Sequence, residues 1–505
     1  MKPDDPRVRR SHEHGGGAGS SWAASDPYRA DRDRVVESPF FARLAGVTQV
    51  VSPTGSGLLL HNRLTHSLKV AQVAVRLAER VSDVDAEGVV ARLGGCDPTV
   101  VEAAALAHDL GHPPFGHLGE QVLDRLARQR LGLPDGFEGN AQSFRIITTT
   151  DVRARSGVGM DLTAAVRAAV LKYPWARRAF PRPHPSAMPV PPRGAAPSAD
   201  DPDGGSLKFS AYLNELDEVV DCRAPYEGLV APWQQTVEAA VMDTADDIAY
   251  AIHDIEDFHR VGVLAHTAVA AELEGWLGQS VVLARLADPA LGRQPGHGLE
   301  TRRRRMRGRD SWIYDDDAFA AAVQRVSREL GDGLLSTPFD GSIAAERAVA
   351  EFSGKWTERL VDGVRVLAEP PVRAAHVSLE AAQWHEVQVL KFLHQRFVLE
   401  RPDLALHQRG QAQSVTTLVE ALAEWLDDAH ESARLPRRLH DLIEIAHGEY
   451  ARIDPEWLGG TDILRLARGR AIIDFVASQT DSQARAMIEV LSGRSGRLWT
   501  DTFVL

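Results

Sequence analysis

The 505-residue chain carries 57 Lys and Arg against 70 Asp and Glu, a formal net charge of −13, with 44% hydrophobic residues. That balance argues against a protein that coats nucleic acid through general electrostatics, but it leaves room for a polyanionic substrate held in a locally positive pocket with a cation. Two cysteines, Cys96 and Cys222, provide neither a disulfide framework nor a CxxC zinc pattern, no apolar h-region opens the chain, and no apolar run approaches the ~18 residues of a membrane span; the expected setting is the cytoplasm, with no membrane partner.

Taken in order, residues 1–25 (RRSHEHGGGAGSS within them) read as a disordered tail in which His12 and His14 are solvent-exposed. From Ser38 the chain becomes specific. The spacing predicts a helix over 68–81 with Leu68, Ala71, Val75, Ala78 and Val81 on one face. His66 falls in its first turn and Arg63 just before its start, where backbone N–H groups favour anions.

The central stretch is VEAAALAHDLGHPPFGHLGE, residues 101–120. Its Ala-rich run reads as a helix buried on nearly all sides, ending in His108-Asp109. Gly111, Pro113, Pro114 and Gly116 cannot continue that helix, so His112 and His117 stand in a loop. A buried His–Asp pair alone is usually a satisfied core pair; three histidines and an aspartate beside a Gly/Pro loop point to a metal site. A further helix is expected over 118–130, with Glu120 three residues after His117 and on the same face, where its carboxylate would fix the imidazole tautomer.

Residues 177–206 are rich in Pro, Gly, Ala and Ser and read as a flexible surface insert that packs no core, with His184 outside the chemistry. Residues 232–260 form a long helical pattern that places Asp246, Tyr250 and Asp254 on one stripe, among apolar neighbours that require some of the acids to be buried and partnered. Residues 279–310 contain ETRRRRMRGRD and read as a basic, mobile insert. Amphipathic helices are expected from 315 to 505, packed on a catalytic core spanning 38–275. The fold class is all-α.

His66, His108, Asp109 and Asp246 collect into a nitrogen and oxygen donor set without thiolate. Such a set suits a divalent ion (Mg, Mn, Fe, Ni or Zn) with positions left for water and a substrate oxygen, rather than a closed structural zinc site.

The H…HD…D pattern resembles the HD-domain phosphohydrolases. Five segments in order are similar to the deoxyguanosinetriphosphate triphosphohydrolase family: NRLTHS, AHDLGHPPFGHLGE, GFEGNAQ, LKYPW and ADDIAYAIHDIED, with IIDFVASQTD near the end. The resemblance implies hydrolysis of a dNTP at the α-phosphorus to deoxynucleoside and triphosphate. It selects Asp246 over Asp247 as ligand, because a tyrosine, Tyr250, follows four residues later. It implies His117 and Glu120 as an acid/base dyad and His112 and Arg63 as stabilisers of phosphate charge. Gln49 is implied at the sugar 3′-hydroxyl, Tyr250 and Asp254 along the sugar, and Lys172 and Lys208 at the triphosphate. It further implies a homo-oligomer, often a hexamer, and a nucleotide or single-stranded DNA effector. Two rivals stand beside it: an HD phosphohydrolase acting on a monophosphate, cyclic dinucleotide or alarmone, and a non-catalytic nucleotide- or DNA-binding regulator.

Overall fold

A computed structural model describes residues 5–11, 26–50, 60–152, 159–199, 201 and 204–496. Among these the architecture is all-α. The only strands among the described residues are Val364–Val366 (β1) and Val377–Leu379 (β2), an antiparallel pair with Val364 opposite Leu379. We number α-helices of five residues or more: α1 Pro27–Val36, α2 Pro39–Arg43, α3 Arg63–Val84, α4 Pro98–Ala107, α5 Gly116–Gln129, α6 Gly139–Arg145, α7 Ala164–Val170, α8 Leu216–Arg223 and α9 Val237–Arg260. The chain continues with α10 His266–Leu283, α11 His297–Arg309, α12 Asp316–Arg328, α13 Ile343–Asp362, α14 Ala381–His394, α15 Pro402–Asp427, α16 Arg437–Tyr450, α17 Ile463–Ala477 and α18 Asp481–Leu491.

Two cores result. The larger is built on α3, α4, α7 and α9 and extends through α14 to Leu404. The smaller joins α5 to α15, α16, α17 and α18. The region expected as one C-terminal unit from 315 is therefore divided between both, because α15 turns its later residues, from Val415 on, toward α5.

Helix α4 is the buried rod that the sequence announces. Asp97 caps it by accepting from Thr99 N at 2.8 Å, Pro98 pre-sets its first turn, and Val100, Val101, Ala103, Ala104 and Ala105 are fully buried. Small side chains let α3 and α9 pack against it, which brings the start of α3, the end of α4 and the middle of α9 together.

Five expectations differ from what the structure shows. Helix α3 starts five residues earlier than the pattern indicates, because Asn62 and Thr65 form a reciprocal capping box. Leu68 is exposed at 49%, while Ala71, Ala78 and Val81 of the expected face are buried together with Val70, Val73, Ala74 and Leu77. Residues 297–309 of the basic segment are helical (α11). Arg303 and Arg304 both bind Glu300, which is fully buried, and reach Asp316 and Asp288. The Pro-rich segment has little regular structure, yet it packs: Ala195 is buried with Trp175, Phe209 and Tyr212. His184 contacts the Ala176 carbonyl at 2.9 Å and Ser186 Oγ at 2.7 Å. Within the expected tail, residues 5–11 are anchored: Arg7 binds Glu238 and Arg10 pairs with Asp31. His12 and His14 lie outside the described residues.

Candidate metal centre

Helix α4 ends at Ala107, and His108 follows in helical conformation. The next turn is set by Gly111, where a Cβ would run into Ser143 N and the Gly139 carbonyl; Ser143 Oγ accepts from Gly111 N and donates to the His108 carbonyl. Arg43, buried on α2, donates to the carbonyls of Leu110 and His112 at 2.7 Å and to those of Ala477 and Gln479. Asp481 accepts from Phe115 N at 2.8 Å and from Thr48 Oγ1 at 2.5 Å. The terminal familial segment thus holds the HPPFGH loop and the strip carrying Gln49 in place.

His66, His108 and Asp109 are buried and offer ligand atoms all within 4.8 Å of one another. His108 Nδ1 lies 2.6 Å from the Ala105 carbonyl, which can only accept, so Nδ1 carries the hydrogen and Nε2 presents a lone pair. Nε2 is buried and makes no hydrogen bond. Asp246 comes in from α9, its Oδ1 3.3 Å from His66 Nε2 and 3.8 Å from His108 Nε2. An unpaired imidazole lone pair, a second imidazole and two carboxylates fit a divalent cation.

The surrounding charges keep the acids ionised. Burial works to raise Asp109, but His112, Arg63 and His108 outweigh it and hold the carboxyl well below its ordinary range. His112 Nδ1 lies 2.9 Å and Arg63 Nη1 2.8 Å from its two oxygens. Asp246 follows the same pattern: burial is outweighed by Lys172, His66 and His108. Lys172 Nζ sits 2.8 Å from Asp246 Oδ2 and 2.7 Å from Asp243 Oδ1. Burial, followed by the Arg63 charge, pushes His112 down to about 4, so the ring is neutral at pH 7.

A second group adjoins the first. The ligand atoms of His112, His117 and Glu120 also lie within 4.8 Å of one another. Here His117 Nδ1 is 3.1 Å from Glu120 Oε2, while Lys208 Nζ donates to Glu120 Oε1 at 2.6 Å and to Glu138 Oε1 at 2.9 Å. An ammonium already seated on Glu120 suits acid/base work better than a second cation. The His117 side chain is 59% exposed, so its other nitrogen is open to a substrate, whereas Glu120 is buried.

The remaining expected residues are distributed around these groups. Tyr250 and Asp254 share His394: Nδ1 lies 2.7 Å from Tyr250 Oη and 3.0 Å from Asp254 Oδ2. The Gln49 carbonyl is near Gly116, whose φ of 60° and close Arg63 and Thr48 neighbours admit no side chain easily; Gln49 Oε1 is buried without a partner. The structure thus brings His66, His108, Asp109 and Asp246 together, with Arg63, His112 and Lys172 touching them and His117, Glu120 and Lys208 alongside.

Over residues 63–173 the chain matches the HD domain family. It is 32% identical over 488 residues to a deoxyguanosinetriphosphate triphosphohydrolase-like protein of Streptomyces coelicolor, covering 92% of each chain. A protein of the same name from Corynebacterium efficiens is 30% identical over 491 residues, covering 93% of this chain and 92% of that one. The chain belongs to the deoxyguanosinetriphosphate triphosphohydrolase-like family. HD domains bind divalent metals, and this member of the family carries the His and Asp groups for one. It belongs among nucleotide triphosphohydrolases. No described helix is long and apolar enough to cross a membrane.

Sequence reasoning missed several partners in this family member. Glu138, fully buried, caps α6 and shares Lys208 with Glu120; its place in GFEGNAQ was a usable signal. Asp243 lies one turn before Asp246. His394 has no local signal, since it reaches Tyr250 across 144 residues of chain.

Proposed function

We propose that this chain is a metal-dependent dNTP triphosphohydrolase acting on dGTP, and on other dNTPs, in the cytoplasm. The observation that carries the reading is the His117–Glu120 pair set against His112, which in turn contacts Asp109 of the metal-ligand group. His66, His108, Asp109 and Asp246 would hold the cation. When bound, that cation supplies Lewis-acid polarisation of the phosphate and a lowered pKa for bound water.

The chain's own groups account for the rest. Water attacks the α-phosphorus, the bond to the 5′-oxygen breaks, and His117 delivers a proton to that oxygen, leaving deoxynucleoside and triphosphate. Glu120, kept ionised by Lys208 and His117 against the effect of burial, holds the imidazole in orientation. Arg63 places donors where phosphate charge builds up, and His112 beside it steadies Asp109 through Nδ1. Lys172 and Lys208 meet the triphosphate, Gln49 the 3′-hydroxyl, and Tyr250 with Asp254 the sugar face. We further propose a homo-oligomer, a hexamer, responsive to nucleotide or single-stranded DNA.

The test is a screen of divalent metals against the four dNTPs with chromatography of the products. Equimolar deoxynucleoside and triphosphate are expected, with dGTP turned over fastest. Pyrophosphate or single phosphate would select another HD phosphohydrolase, and tight binding without turnover under every metal would select a regulator. Light scattering reads the assembly state, and a monomer in solution would remove the hexamer.

A further inference from the structure

On the far side of Lys172 from the metal ligands lies a cavity of about 90 Å³. Its walls come from distant parts of the chain: Trp233 before α9, Trp312 after α11, Trp384 on α14, and the strip of residues 372–379 that ends in β2. Pro192 and Arg193 of the Pro-rich segment complete it, and Arg373 ties that segment down by donating to the Pro191 carbonyl at 3.2 Å. None of His66, His108, Asp109, His117 or Glu120 lines it.

Apart from Asp243 Oδ1, which is ion-paired with Lys172, three lining residues carry buried polar atoms without a hydrogen-bond partner: Trp312 Nε1, Arg373 Nε and His376 Nε2. Buried polar groups are nearly always paired, so three orphans around one space point to a ligand. Their chemistry is mixed. The indole and guanidinium nitrogens can only donate. His376 Nδ1 lies 2.9 Å from the Leu367 carbonyl and therefore carries the hydrogen, which leaves Nε2 of the neutral ring as an acceptor. Two donors and one acceptor between indole walls complement the edge and faces of a planar nitrogen heterocycle. A simple anion would leave the His376 lone pair unmatched, and a hydrocarbon would leave all three unmatched. A water needs only about 10–15 Å³ by the same kind of measure, so the space exceeds what one water fills.

We propose that this cavity is a binding subsite for a ring of the nucleobase class, read by Trp312, Arg373 and His376. Lys172 connects it to the metal centre, since its ammonium bridges Asp243 on the cavity wall and Asp246 at the centre. The ring belongs either to the nucleotide being hydrolysed or to a second nucleotide. Only that choice rests on the function proposed above; the cavity's chemistry does not.

The experiment is photolabelling of the full chain by 8-azido-dGTP and 8-azido-dATP in EDTA, where no turnover occurs, with peptide mapping. Label is expected on the peptides carrying Trp312, residues 372–379 or Trp384. Trp312→Phe, which keeps a ring and removes the N–H, and His376→Leu should each weaken nucleotide binding at least fivefold with unchanged melting temperature. Equilibrium dialysis of radiolabelled dGTP separates the sources. One nucleotide per chain identifies the ring of the hydrolysed nucleotide, and two identify a separate molecule; the subsite stands in both cases. Label confined to other peptides of the wild-type chain overturns the proposal whether or not the variants fold. So do well-folded variants that bind as the wild type does. A chain that hydrolyses nothing yet is labelled in the cavity loses the enzymatic reading and keeps this one.

Discussion

At the contact between the two cores, Arg145 meets three carboxylates; at the candidate metal centre, two carboxylates meet Arg63, Lys172 and imidazoles. Arg145 binds Glu215, lies 2.9 Å from Glu449 Oε2, and places Nε 2.8 Å from Asp474 Oδ2, so one guanidinium on α6 staples α16 and α17 to the larger core. The surplus negative charge is met by a proton: burial, with Glu449 beside it, pushes Glu215 up to about 7. At the metal centre Arg63, Lys172 and the imidazoles hold Asp109 and Asp246 well below the ordinary carboxylate range, and His108 Nε2 has no hydrogen-bond partner. Clustered acids therefore serve opposite ends. One cluster is closed and neutralises itself, whereas the other keeps its acids ionised and a lone pair free for an incoming cation.

The contrast can be broken most directly at the ligands. His108→Ala, or Asp246→Ala, should remove bound divalent metal and turnover together, read by elemental analysis and product chromatography; full metal content in either variant would remove that residue from the ligand set. Glu120→Ala should keep the metal and lose about 10²–10⁴-fold in kcat. Normal turnover would dismiss the dyad. Arg145→Ala should cost about 3–5 kcal/mol in a urea melt, because it strands buried carboxylates, while the folded fraction retains its metal. Metal loss there would show that the two clusters are not separable.

The sign of the pH effect sharpens the comparison further. Glu215 titrates higher folded, at about 7, than its ordinary value of 4.5, so its contribution to stability is complete below about 4.5 and is lost as pH rises through about 7. Glu215→Gln should flatten that decline in urea midpoints measured across the window; an unchanged slope would place the proton elsewhere. The smallest effect belongs outside both clusters. Arg303→Ala should leave kcat unaltered and lower stability by about 1 kcal/mol, since Arg304 still holds Glu300.

What the sequence made legible was local. The apolar run of α4 and the glycines and prolines after it announce His108, Asp109, His112 and His117, and the apolar spacing of α3 sets His66 near its start, because each signal lies within one helix and its ends. Asp246 needed the position of Tyr250. The clamps were invisible for the opposite reason: Arg43, His394 and Asp481 gain meaning only from partners 67 to 436 residues away. The two misread segments share a cause. Four consecutive arginines look mobile until Glu300, Asp288 and Asp316 are seen around them. A Pro/Ala-rich stretch looks unable to pack until Ala195 is found among aromatic rings.

Asp481 also bears on how the molecule comes into being. A ribosome has delivered every side chain of the candidate ligand set by residue 246, yet the carboxylate that fixes Phe115 emerges 366 residues after it. The geometry of the HPPFGH loop therefore waits on a segment made long after the loop itself, and a polypeptide terminated before residue 481 carries the candidate ligands without the anchor for their loop.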